Sequence, residues 1–94
     1  MIEWTEQSIR QLDQAHDYIA LSNSAAVANR IILQIVSSVQ QLDTFPMSGK
    51  AGPVSGTREL VVLNTPFIAA YVIHRDRVVV LAIYHGARQW PEGF

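Results

Sequence analysis

Few side chains of this 94-residue chain are suited to acid–base or phosphate chemistry. The chain has three histidines, three tyrosines, seven lysines or arginines and no cysteine. Arg58 begins one apolar run and His85 ends another, so a strand register that brought them together would place a guanidinium beside an imidazole. Such a pair could bind a phosphodiester, with His85 as general acid or base and Arg58 stabilising negative charge on phosphorus.

A structural interpretation of the same residues stays open. Arg58 would pair with Glu59, Asp43 or a partner's carboxylate, and His85 would hydrogen-bond to the backbone. His74 and His85 lie at opposite ends of one predicted hairpin, but a metal site needs further ligands that the sequence does not supply. The chain also has no P-loop, dinucleotide-binding fingerprint or nucleophile elbow, so no cofactor is predicted.

The first half of the chain predicts the helices that must support these residues. Apolar residues recur at three- and four-residue spacing up to about Ala20, after Thr5 as a plausible N-cap. A second helical pattern covers residues 25–42 and ends before Pro46. His16 lies on the apolar stripe of the first helix and is interpreted as a core-edge histidine satisfied by a neighbour. The short connection predicts an antiparallel helical hairpin.

The second half predicts a sheet. Strands are expected at residues 58–63, 67–74 and 78–85, with a short strand at residues 1–4 and a glycine-rich loop at residues 47–56. Alternation in the middle strand assigns Phe67, Ala69, Tyr71 and Ile73 to one face and Ile68, Ala70, Val72 and His74 to the other. The order β-α-α-β-β-β predicts an α+β fold, with a helical hairpin packed on a small antiparallel sheet in one domain spanning residues 1–94.

Composition limits the classes of function. A hydrophobic share of 49% with 16% charged residues is typical of a folded chain. The absence of cysteine, of a leader and of an apolar stretch long enough to span a membrane predicts a cytoplasmic protein. Residues 1–43 carry two basic and five acidic residues (net −3), whereas residues 44–94 carry five and three (net +2). An acidic partner is therefore expected to dock on the second half.

Three sequence blocks resemble the toxins of the RelE/ParE superfamily. They are FPMSGK at residues 45–50, GTREL at residues 56–60 and IYHGARQWP at residues 83–91, with Tyr71 between the second and the third. The blocks stand in the family's order and the resemblance spans almost the whole chain. It implies the β-α-α-β-β-β fold and a toxin of a type II toxin–antitoxin pair, bound and neutralised by an antitoxin as a hetero-oligomer.

The family divides into two activities. RelE-like members cleave mRNA on the ribosome, and ParE-like members inhibit DNA gyrase. The single lysine, the pI of about 6.2, the lack of a tyrosine after Tyr84 and the Trp90-Pro91 pair are more similar to ParE, which is the favoured alternative. A chain that only binds its antitoxin is the third alternative. Arg58 and His85 would be catalytic only in a RelE-like nuclease.

Eight residues are predicted to bind the target or the antitoxin on the basis of the resemblance and the charge distribution. Trp90 and Phe94, beyond the last strand, either fold back on the sheet or anchor a partner. The predicted binding residues are Lys50, Arg58, Tyr71, Arg75, Arg77, His85, Arg88 and Trp90.

Overall fold

The computed structural model describes residues 1–86, in which two helices pack on one face of a five-stranded sheet. The predicted order is confirmed, and a two-residue strand is added inside the segment predicted to be a loop. Neither helix is long and apolar enough to cross a membrane. A 3-10 turn at Gln41–Asp43 follows the second helix. The elements are β1 (Ile2–Trp4), α1 (Glu6–Ser22), α2 (Ala25–Gln40), β2 (Lys50–Ala51), β3 (Thr57–Val61), β4 (Phe67–His74) and β5 (Arg77–His85).

Side-chain caps begin both helices. Thr5 and Ser24 each accept a hydrogen bond, at 3.1 Å, from the backbone N–H three residues later. These bonds satisfy backbone donors that a helix N-terminus leaves without partners. His16 Nε2 on α1 lies 2.7 Å from Asn29 Oδ1 on α2, which confirms that this histidine is satisfied by a neighbour.

The sheet has the order β1-β5-β4-β3-β2 and is mixed. β1 pairs in parallel with β5, while the other three pairings are antiparallel. The prediction of an antiparallel sheet is therefore wrong for β1. The reason is topological, because the helical hairpin between β1 and the later strands supplies the long crossover that a parallel pairing needs.

The two faces of β4 differ as the alternation predicts. Its helix side contributes Ala69 and Tyr71 to the main core, where both are fully buried. Its other side contributes Ala70 to a smaller cluster with Ala82 and Tyr84. We call this second side the open face of the sheet, because neither helix covers it.

A β-bulge in β5 decides which side chains reach the open face. Ala70 pairs with Ala82 and Tyr71 pairs with Val80, which leaves Leu81 as an extra residue. A bulge of this kind shifts the alternation by one position. As a result Tyr84 faces the open side, whereas regular alternation from Val80 would have turned it toward the helices.

Candidate functional site

Arg58 lies on the helix side of β3, opposite Tyr71 in the strand register. Its Nη1 atom donates a hydrogen bond to the carbonyl of Gly49 at 2.6 Å and a longer one to the carbonyl of Met47 at 3.5 Å. Within residues 1–86 Arg58 forms no salt bridge with Glu59 or Asp43, the two carboxylates of this chain that the structural interpretation offered. The guanidinium instead fixes the loop that precedes β2.

His85 stands far from Arg58. It lies opposite Phe67 at the end of β5, and the two rings meet edge to face with centroids 5.9 Å apart. β3 and β5 flank β4 on opposite sides, and Phe67 and Tyr71 are four residues apart along β4. Strand geometry puts the backbones of Arg58 and His85 roughly 16 Å apart. The register that would pair an imidazole with this guanidinium is therefore not formed.

Tyr71 is fully buried. Its hydroxyl donates to the carbonyl of Pro46 at 2.7 Å and accepts from the N–H of Gly49 at 3.0 Å. A side chain with no exposed surface cannot contact a partner directly, so the prediction of Tyr71 as a binding residue is corrected. Tyr71 and Arg58 hold the same loop.

The remaining predicted cations are distributed along the sheet. Arg77 Nη1 donates to Glu3 Oε1 at 2.7 Å, and this ion pair joins β5 to β1. Arg75 is exposed at the β4–β5 turn, with a φ of 60° that is uncommon for a residue other than glycine. Arg88, Trp90 and Phe94 lie outside the described residues, so the contacts predicted for them remain predictions.

A shallow depression of about 400 Å³ lies on the open face. Three of its lining side chains can form polar contacts: Lys50 on β2, Glu59 on β3 and Tyr84 on β5. Lys50 and Glu59 are directly opposite each other in the register. The depression is lined by Lys50, Ala51, Gly52, Pro53, Glu59, Ile68, Tyr84 and Gly86.

The chemistry of this depression is that of a binding surface. Burial, and then the charge of Glu59 and a hydrogen bond to it, raise the pKa of Tyr84 to about 12. Tyr84 therefore remains protonated at neutral pH and is a poor general base. Sequence reasoning missed Glu59 and Tyr84 as a pair, because only the bulge brings Tyr84 to the face that carries Glu59.

A second, larger groove of about 670 Å³ lies between the helices and the part of the sheet where β4 begins and β5 ends. Its lining is mainly apolar, with His85 and two glutamines among the polar side chains. Within residues 1–86, no group of three or more His, Asp or Glu side chains could hold a metal ion. The groove is lined by Gln11, Gln14, Ala15, Tyr18, Ile19, Ile31, Pro66, Phe67, Ile83, Tyr84 and His85.

Comparison with known proteins agrees with this architecture. The family model described as the ParE toxin of the type II toxin–antitoxin system parDE matches residues 2–90. The protein named "Putative toxin Y4kP" of Sinorhizobium fredii is 38% identical over 91 residues, which cover 97% of this chain and 93% of that protein.

Two solved structures share the fold. A chain of the chromosomal ParDE system from P. aeruginosa superimposes with a TM-score of 0.83 at 23% identity, covering 89% of this chain and 92% of that one. A conserved hypothetical protein from Helicobacter pylori gives a TM-score of 0.53 at 15% identity, over 89% and 91% of the two chains. With the family match over residues 2–90, the chain belongs to the ParE toxin family of type II toxin–antitoxin systems.

Proposed function

We propose that this toxin arrests growth by inhibiting DNA gyrase in the cytoplasm, and that its antitoxin relieves the inhibition. The observation that carries the proposal is the match of residues 2–90 to the ParE family. Family membership implies the antitoxin as a partner. Gyrase as the target follows from the ParE-like character of the chain.

The geometry of the predicted nuclease residues favours the same proposal. Cleavage of a phosphodiester needs a proton-transfer group and a cation that converge on one phosphate. Arg58 is bonded to loop carbonyls on β3's helix side, and His85 lies two strands away. Tyr84, with its pKa raised to about 12, is held in the protonated form. Within residues 1–86 these groups do not form a converging set.

Arg75 is the exposed cation that we assign to the gyrase contact. It stands at the tip of the β4–β5 hairpin, in the half of the chain that carries net positive charge. No salt bridge involving Arg75 is formed within residues 1–86. An exposed, unneutralised guanidinium is suited to bidentate pairing with a carboxylate of a protein target.

Two assays test the proposal. Purified toxin should inhibit supercoiling of relaxed plasmid by gyrase, and induction in cells should reduce incorporation of labelled thymidine before that of labelled amino acids. Arg75→Ala should weaken supercoiling inhibition several-fold, because a charge-assisted contact is lost. Arg10→Ala is the matched control, since Arg10 is an exposed arginine on α1 that pairs with Glu6. A prior fall in protein synthesis, with mRNA cut on ribosomes, would replace the proposal by the RelE-like alternative.

A further inference from the structure

The loop between the helical hairpin and β2, residues 44–49, is fixed by the protein interior while its large apolar side chains face solvent. Phe45 and Met47 are 64% and 63% exposed. The backbone of Pro46, between them, and of Gly49, after them, is hydrogen-bonded to the side chains of Tyr71 and Arg58. We call residues 44–49 the clamped loop.

Four hydrogen bonds hold the clamped loop. The Tyr71 hydroxyl bonds to the carbonyl of Pro46 and the N–H of Gly49, and Arg58 bonds to the carbonyls of Gly49 and Met47. A turn bond joins the N–H of Ser48 to the carbonyl of Phe45 at 3.1 Å. The bonds to Arg58 are charge-assisted, and the phenol is fully buried, so the loop is ordered before any partner arrives.

The backbone of the clamped loop packs closely against Tyr71 and β3 at Gly49. A Cβ at this position would lie 2.5 Å from the Tyr71 hydroxyl oxygen and 2.8 Å from the carbonyl oxygen of Glu59. The absence of a side chain lets the backbone approach both groups. Because the loop sits this deep against Tyr71, Phe45 and Met47 are left facing outward.

We propose that the clamped loop is a docking element for an apolar, carboxylate-bearing segment of the antitoxin, and that Tyr71 and Arg58 are positioning residues for it. The inference rests on membership of the toxin–antitoxin family. Ordering of loops and side chains opposes association, so an apolar pair that is already ordered binds at a smaller entropic cost. Methionine and aromatic side chains are enriched in protein interfaces.

Charge complementarity selects the partner. Lys50, directly after the clamped loop, is exposed and forms no salt bridge within residues 1–86. The guanidinium of Arg58 is bonded to carbonyls, so its charge is not neutralised by a carboxylate there. Asp43 is paired with the amino group of Met1, whereas Glu59 lies opposite Lys50 in the register and keeps its charge beside the protonated Tyr84. The charges of Lys50, Arg58 and Glu59 therefore leave this region with a net charge of +1. A segment with acidic side chains beside apolar ones complements this surface.

The test is a double-mutant cycle on the dissociation constant of the complex between purified toxin and its cognate antitoxin. Phe45→Ala/Met47→Ala should weaken binding at least 30-fold, as loss of a central apolar anchor does. Tyr71→Phe keeps the ring and removes the hydroxyl, and it should weaken binding about 3- to 10-fold although Tyr71 has no exposed surface. In the Phe45→Ala/Met47→Ala background, Tyr71→Phe should change affinity less than 2-fold.

The non-additivity distinguishes positioning from general destabilisation, because a weakened fold would lower affinity equally in both backgrounds. Leu33→Ala is the control for exposed apolar area, since Leu33 is 68% exposed on α2. The proposal would be overturned if Leu33→Ala weakened antitoxin binding as much as Phe45→Ala/Met47→Ala does. It would also be overturned if the effect of Tyr71→Phe on affinity were the same with and without the Phe45→Ala/Met47→Ala change.

The charge of Lys50 is tested separately. Lys50→Gln should weaken antitoxin binding at low salt and have a smaller effect at high salt, since ions screen an exposed charge. Equal affinity of Lys50→Gln and wild type for the antitoxin at low salt would overturn the proposal that the antitoxin segment places a carboxylate beside Lys50. The loop variants should still inhibit gyrase supercoiling, so failure of the gyrase proposal and failure of the docking proposal give different results.

Discussion

Replacing Gly49 by alanine should lower the free energy of unfolding by about 1–3.5 kcal/mol. The added Cβ would meet Tyr71 Oη at 2.5 Å, Tyr71 Cε1 at 2.7 Å and the carbonyl oxygen of Glu59 at 2.8 Å. Ordinary contacts begin near 3.4 Å, so the ring must retreat by about 0.7–0.9 Å. Tyr71 is fully buried and Glu59 contributes sheet backbone, so neither yields easily.

Three terms set that magnitude. Overpacking of a filled site costs typically about 1–3 kcal/mol, and weakening the bond from Gly49 to the Tyr71 hydroxyl adds about 1 kcal/mol. Loss of chain entropy in the unfolded state offsets roughly 0.4–1 kcal/mol, since the φ of Gly49 is not positive. For a domain of this size the melting temperature should fall by about 5–25 °C.

Urea denaturation of wild type and variant measures this loss, and Gly56→Ala is the matched control. Gly56 has a φ of 83°, but no atom lies within 4 Å of its added Cβ, so its cost of about 1 kcal/mol is conformational alone. Tyr71→Phe removes the nearest atom, so Gly49→Ala should cost less in that background. The steric argument would be refuted if the unfolding free energy of Gly49→Ala were within about 0.5 kcal/mol of the wild-type value. Ordinary surface substitutions change stability by about this much.

Three further predictions concern the sheet. The pKa of Tyr84 is raised to about 12, so the stability contributed by its protonated form is present below pH 10 and is lost as the pH rises toward 12. Absorbance titration of wild type against Tyr84→Phe measures the pKa of this phenol, and Glu59→Gln should lower it. Arg75→Gly should leave stability unchanged or raise it by up to about 1 kcal/mol in urea denaturation, whereas Arg75→Val should lower it, because the φ of 60° disfavours a β-branched residue. Glu3→Gln breaks the half-exposed pair with Arg77 and should cost at most about 1 kcal/mol, a loss that 1 M salt should abolish in the same measurement.

Periodicity predicts the elements of this fold well because its signals are local. Thr5 caps α1 as predicted, and β4 has the predicted bounds and the predicted faces. The second helix ends slightly earlier than its apolar pattern, since the last turn tightens to a 3-10 turn at Gln41–Asp43. Alternation and caps are properties of consecutive residues, so the sequence alone carries them.

Register and strand direction are not local: the direction of β1 was predicted wrongly, and the sequence left open whether Arg58 and His85 meet. Whether Arg58 meets His85 depends on how β3 and β5 are placed on the two sides of β4. The extra residue Leu81 then shifts the alternation and carries Tyr84 to the open face beside Glu59. A bulge has no clear signal in a run of apolar residues, so this pair could not be predicted from composition or spacing.

The clamped loop shows how two of the sequence blocks that resemble the family meet in the fold. The FPMSGK block supplies Pro46 and Gly49, the GTREL block supplies Arg58, and Tyr71 follows on β4, opposite Arg58 in the register. Separated by up to 25 residues along the chain, these groups meet through hydrogen bonds of 2.6 to 3.0 Å. Two of the residues predicted to bind a partner are thus bonded to one loop, and their effect on binding passes through the exposed side chains that this loop carries. An Arg58 or Tyr71 variant that loses toxicity or antitoxin binding therefore does not by itself identify a catalytic group, and the double-mutant cycle with Phe45 and Met47 is the measurement that separates the two roles.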